Sequence, residues 1–155
     1  MNRFPLEGIR SVDFVVPDLG AATDFYTVVW GLELVRRTDA TSWLRGTGSD
    51  AQLLALHAGT EASIRSMTFR ARPESDLDAL AAALAGQGCA LLHGVQALDE
   101  PGGGEAVTVR DPQGRAIRIV REDDRVVPLP FDPDRPERLA HININSDDVA
   151  RDTRL

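Results

Sequence analysis

Between residues 9 and 16, Val12, Phe14 and Val16 alternate with Ser11, Asp13 and Val15. A period of two predicts a strand with one core face and one more polar face. Asp18 then stands where a helix needs its cap. Leu19, Ala22, Phe25 or Tyr26, and Val29 follow at helical spacing, and Gly31 supplies a stop. Three β-prone stretches come next, near residues 32–37, 41–45 and 52–57, separated by Thr-Asp-Ala and Gly-Thr-Gly-Ser-Asp turn chemistry. The order is β-α-β-β-β.

That order then repeats. Residues 63–71 alternate like a strand, and Ser75 is placed to cap a helix carrying Leu77, Leu80, Ala81 and Leu84, which Gly86 and Gly88 end. Residues 89–93, 105–110 and 115–121 supply three more strands. Ser11-x-x-Phe14 matches Ser66-x-x-Phe69, and Gly31-x-x-Leu34 matches Gly88-x-x-Leu91 at nearly the same offset. Such self-similarity points to an internal duplication within one α+β module, residues 1–121. Gly102-Gly103-Gly104 reads as a flexible loop, and no helix follows it to make a phosphate site. Residues 122–138, Pro-rich and of mixed charge, read as an extended linker at a domain boundary.

Beyond the linker, Leu139-Ala140-His141-Ile142-Asn143-Ile144-Asn145-Ser146-Asp147-Asp148 repeats the shape of residues 11–18, a short strand followed by an Asp. Residues 139–155 are therefore expected to be the start of an incomplete second module. His141 stands where the first copy has Ser11. A strand without partners exposes an apolar edge, so this tail is expected to stay mobile or to add to the sheet of a second copy, giving a homo-oligomer.

A chain of 155 residues can bury one core. The net charge of −7, with no local cluster of Lys or Arg, argues against nucleic acid and anionic lipid as partners. Cys89 is alone, so no internal disulfide forms, and the N-terminus lacks the basic-then-apolar order of a secretory signal. A reducing cytoplasm is the expected compartment. No apolar run reaches the roughly 20 residues needed to span a bilayer.

Two tandem units, Val16-Pro17-Asp18-Leu19 before a helix containing Phe25-Tyr26, then Gly31-Leu32-Glu33-Leu34, and Asp111-Pro112-Gln113-Gly114 before the last strand, closely resemble the vicinal oxygen chelate superfamily. That group includes glyoxalase I, bleomycin-resistance proteins and type I extradiol dioxygenases. Trp30 departs from the small or aliphatic residue usual before Gly-Leu. The resemblance covers about residues 8–121 and implies a cupped mixed sheet holding a metal between its units. It also implies ligands from the first and last strands of each unit, positions that fall here on Ser11, Ser66 and Arg118. These do not make the two imidazoles and one carboxylate of an Fe(II) site. A guanidinium there repels a cation, about 4 kcal/mol per unit-charge pair at 4 Å and an effective dielectric of 20.

No cofactor is therefore expected in this chain. His57, near another ligand position of the family, has no obvious co-ligands and reads as a strand-end histidine at the surface; His93 reads as structural. In type I extradiol dioxygenases the first module is usually metal-free, and the second opens with a ligand His, the place His141 matches. The resemblance thus implies a non-catalytic module of an oxidoreductase acting on aromatic compounds, with Fe(II) holding a catecholate and dioxygen in a missing second module. In that context alone would His141 be a metal ligand. The alternative is a stand-alone protein of the bleomycin-resistance type that binds an aromatic or other small molecule. Strand alternation places Ser11 and Asp13, Ser66, Thr68 and Arg70, and Arg118 on the polar faces lining the cup. Asp13 is expected to pair with Arg118 or Arg70, unless all three are solvated.

Overall fold

A computed structural model describes residues 5–153. It contains eight strands: β1 (Leu6–Val16), β2 (Glu33–Arg37), β3 (Thr41–Arg45), β4 (Leu54–Ala58), β5 (Ser63–Ala71), β6 (Ala90–Ala97), β7 (Glu105–Arg110) and β8 (Ala116–Arg121). Helix α1 (Leu19–Asp24) runs into a π-helical turn (Phe25–Val29), α2 is Leu77–Gly86, and α3 is a single turn, Val149–Asp152. The strands form one open mixed sheet in the order β2-β3-β4-β1-β5-β8-β7-β6. Each unit closes on itself by a parallel pairing, β1 with β4 and β5 with β8, and the units join through the antiparallel pair β1 and β5. The duplicated pattern is thus a near two-fold arrangement about that central pair.

The apolar alternation decides which face is core. Val12, Leu44, Leu54 and Leu56 join Leu19 of α1 beneath the first unit, while Val107 and Ile119 join Leu77 of α2 beneath the second. Asp18 caps α1 by accepting from the Ala21 N–H. The cap of α2 is Asp76, not Ser75: Asp76 accepts from the Asp78 and Ala79 N–H groups, and the Ser75 hydroxyl donates to the Pro5 carbonyl instead. A carboxylate serves a helix N-terminus as well as a hydroxyl and adds a favourable charge. Among the described residues no helix is long and apolar enough to cross a membrane.

Three register shifts interrupt the pairing of β1 and β5, the first leaving Glu7 extra where Leu6 and Gly8 face Ala71 and Arg70. Ile9 and Ser11 face Phe69 and Thr68, leaving Arg10 as an extra residue, and Asp13 and Phe14 face Ser66 and Ile64, leaving Arg65 as another. A bulge re-aims the side chains beside it. The Arg10 side chain is therefore buried next to Ser11, its Nη1 3.5 Å from the Ser11 hydroxyl.

Residues 122–138 contain no helix or longer strand, yet they do not hang free. They form a strap stitched to the loop between β3 and β4: Val126 N–H donates to Ser49, Leu129 to Thr47, and Thr47 and Gly48 donate in turn to Pro136 and Glu137. The approach is close enough to require glycine, since a Cβ on Gly48 would lie 2.7 Å from the Glu137 carbonyl oxygen. The Gly102–104 run is likewise an ordered turn, held by bonds from Leu98 N–H to Gly104 and from Asp124 N–H to Gly102.

The tail also differs from expectation. Residues 139–147 form no strand, and Leu139 and Ile142 pack against the core of the first unit. Arg115 binds Asp152 at 2.7 Å, and the Gln113 amide donates to Ser146 and Asp152. Burial of Leu139 and Ile142 on that core removes their apolar surface from water without a strand pairing. Arg115→Gln should therefore release this last turn. Amide exchange of residues 149–152 is expected to rise to the rate of open chain while the unfolding midpoint scarcely moves; unchanged protection would show that Arg115 does not hold the tail.

Candidate functional site

The concave face of the sheet opens into a cavity of about 350 Å³, lined among others by Asp13, Trp43, His57, His93, Glu100 and Arg118. Asp13 comes from β1 and Arg118 from β8, both by strand alternation. His57 lies opposite Val15 across the parallel β1–β4 pair, on the face that Asp13 shares. Ser66 also lines the cavity. Thr68 lies deeper, accepting a hydrogen bond from Arg118 Nε at 2.9 Å, and Ser11 is fully buried beneath the floor.

These groups belong to a chain of alternating charge. His57 Nε2 donates to Asp13 at 2.8 Å, and the other Asp13 oxygen lies 3.5 Å from Arg118 Nη2. Arg118 donates two hydrogen bonds to Glu100, at 3.0 and 3.1 Å, and Glu100 also accepts from Arg10. Arg10 Nε lies 3.3 Å from Asp123, an ion pair without hydrogen-bond geometry. Asp123 takes two bonds from Arg70, at 2.8 and 2.6 Å. Arg70 then reaches Asp50 at 3.0 Å, and Asp50 binds Arg125 at 2.9 Å. From Arg118 to Asp50 every charge in the series has a neighbour of opposite sign on each side, as burial demands, and Asp13 at one end lies between Arg118 and the His57 ring.

Electrostatics follow from this order. Burial works against the Arg70 charge, but its bonds to Asp123 and Asp50 outweigh that and hold its pKa above the ordinary value. Burial pushes Asp123 up, and Arg70, then Arg10 and Arg125, more than offset it, so that this carboxyl sits below the usual range.

Of the pairings expected for Asp13, the one with Arg118 is made, though at the longest distance in the series, and Arg70 is turned away toward the strap. His57 is neither a free surface histidine nor a free ligand. Its side chain is 16% exposed, Nε2 is taken by Asp13 and Nδ1 lies 3.1 Å from the Thr41 hydroxyl. His141 is exposed in the tail, and the described residues contain no group of three or more His, Cys, Asp or Glu that could hold a metal. Sequence reasoning missed Glu100, Arg10, Asp123 and Asp50.

The donor set does not suit a metal cation. Asp13 and His57 are committed to each other, and the guanidinium of Arg118 occupies the neighbouring position with Glu100 as its counter-ion. A cation placed there would displace one charge and oppose another.

A family model described as the Glyoxalase/Bleomycin resistance protein/Dioxygenase superfamily matches residues 8–119. The chain belongs to this superfamily. Among solved structures of similar fold is the Mn(II)-bound glyoxalase from Novosphingobium aromaticivorans, 27% identical with a TM-score of 0.78, over 83% of this chain and 43% of that one. A variant of homoprotocatechuate 2,3-dioxygenase from B. fuscum in complex with HPCA is 26% identical with a TM-score of 0.82, over 96% of this chain and 43% of that one. The anaerobic complex of the Brevibacterium fuscum enzyme with 3,4-dihydroxyphenylacetate gives 26% identity and a TM-score of 0.75, over 88% and 44%. The chain thus spans less than half the length of these solved members of the superfamily. Comparison with curated proteins finds no match.

Proposed function

We propose that this chain is the non-catalytic first module of an extradiol-dioxygenase-like oxidoreductase, and that it supports a following Fe(II) module opening at His141. The observation that carries the reading is the filled cup: Arg118 and Glu100 stand as an ion pair beside Asp13 and His57 where a superfamily metal would be held. The likeness to a dioxygenase over 96% of the chain, strap and tail included, adds weight. On this reading the ion-pair series fixes the relative position of the two units and of the strap that leads onward.

A second reading, a stand-alone binding protein of the bleomycin-resistance type, draws on the room that remains in the cup, about 350 Å³ with Arg65, Arg110 and His93 among its walls. One experiment separates the two. The 155-residue chain and the product of its full reading frame are each loaded with Fe(II) under anaerobic conditions, analysed for metal, and assayed for ring cleavage of 3,4-dihydroxyphenylacetate.

The expected outcome is no stoichiometric iron and no cleavage in the chain alone. The longer product should hold one iron and cleave a catechol, and should lose both on His141→Ala while residues 8–121 stay folded. One tightly held ion in the chain alone, or a longer product without iron, would overturn the reading.

A further inference from the structure

A second cavity, of about 260 Å³, lies on the opposite side of the sheet from the cup, between the π-helical turn and the strap. We propose that it binds a small amphiphile with one carboxylate, its apolar body inside the cavity and its carboxylate at Arg138. This goes beyond the catalytic reading and does not depend on it.

The floor is apolar, made by Val12, Phe14, Leu32 and Leu54. Protein cores are close-packed, and an apolar cavity of about 150 Å³ already takes up benzene. The space here suits one ring and a short alkyl chain. Its wall depends on a local irregularity: the π-helical turn Phe25–Val29 brings Tyr26 and Trp30 together, ring centroids 5.7 Å apart, and leaves Trp30 half-exposed at the mouth. Single π turns in helices occur frequently at functional sites. Trp30 is also the residue that departs from the usual pattern before Gly-Leu.

The roof is the strap. Its backbone is held by the bonds from Thr47 and Gly48 and by Arg135 Nε donating to the Gly31 carbonyl at 2.8 Å, and Arg138 and Leu139, next in the chain, line the cavity, Arg138 with its side chain exposed. Among the described residues Arg138 enters no hydrogen bond or ion pair, and the Tyr26 hydroxyl has no partner either. Burial holds the Tyr26 phenol above its ordinary pKa, so it remains a donor at neutral pH. An uncommitted guanidinium and a phenol beside an apolar space match an acid with an apolar body. The net charge of −7 gives no long-range attraction to anions, so binding rests on these local contacts.

The test titrates the chain with 4-phenylbutyrate, 4-phenylbutan-1-ol and 4-phenylbutylamine, followed by tryptophan fluorescence and calorimetry. The acid should bind most tightly, and Arg138→Gln, an exposed change that leaves folding intact, should weaken the acid about fivefold while leaving the alcohol unchanged. Leu139→Trp, which fills the end of the cavity, should abolish binding of all three. The product of the full reading frame should bind the acid as the chain does. No saturable binding, equal affinity for acid and alcohol, indifference to Arg138→Gln, or loss of binding in the longer product would each overturn the proposal; the last would mean that further residues of the protein fill the cavity. Metal content and ring cleavage are not read in this test, so its failure is distinct from failure of the catalytic reading.

Discussion

Glu100→Ala should lower the unfolding free energy by about 3–5 kcal/mol, the cost typical of removing one partner from a buried ion pair. Glu100 takes two hydrogen bonds from Arg118 and binds Arg10, whose side chain is 0% exposed against 8% for Glu100 itself. Without the carboxylate, two guanidiniums face each other with only Asp123 at 3.3 Å and Asp13 at 3.5 Å to balance them. Asp13→Ala should cost less, because its contact with Arg118 is the long one. Adding Arg118→Leu to Glu100→Ala should recover much of the loss, since a double replacement by apolar groups is often nearly neutral. Urea unfolding with an unchanged slope measures all three. A loss below about 1 kcal/mol for Glu100→Ala would mean that the pair is solvated, like a surface salt bridge.

The fold was legible because its signals are local and repeated. Alternation in residues 9–16, 63–71 and 115–121 marks β1, β5 and β8, and the core positions Val12, Met67 and Ile119 follow from it. What escaped were features that a strict period hides. The bulges at Arg10 and Arg65 put two arginines where a period of two does not place them. The fate of the strap and tail was also hidden, because the strand-like pattern of residues 139–144 says nothing of the packing with distant residues that holds Leu139 and Ile142.

The candidate site was half legible. Asp13, Ser66, Thr68 and Arg118 could be placed on the cup by counting along strands, but Arg70 shares their strand face and still turns to Asp123 and Asp50. Glu100 lies in an irregular turn before Pro101, where periodicity says nothing. One signal was available: Arg70 and Arg118 on central strands each demand a carboxylate, and the acidic residues in the turns, Asp50, Glu100 and Asp123, were the supply.

Acid should reveal the middle of the ion-pair series, where Asp123 joins Arg10 and Arg70. Its pKa is held below the ordinary carboxylate range, burial notwithstanding, so the folded protein binds this proton more weakly than the unfolded chain does. The associated stability is complete above the unfolded value and is lost as pH falls through the folded one, giving a decline that begins near pH 5 and steepens below about pH 4. Asp123→Asn keeps the shape and one acceptor but removes the charge. It should cost about 1.5–3 kcal/mol at pH 7, with Arg70 retaining Asp50, and should flatten the acid decline. Unfolding curves of both proteins at several pH values from neutral to acid decide the matter. Asp152 is the control, because Arg115 lowers its pKa as well but it sits in the tail, outside the sheet. Parallel acid slopes in the parent and Asp123→Asn, with a flattened slope in Asp152→Asn, would move the acid-sensitive contact from the ion-pair series to the tail.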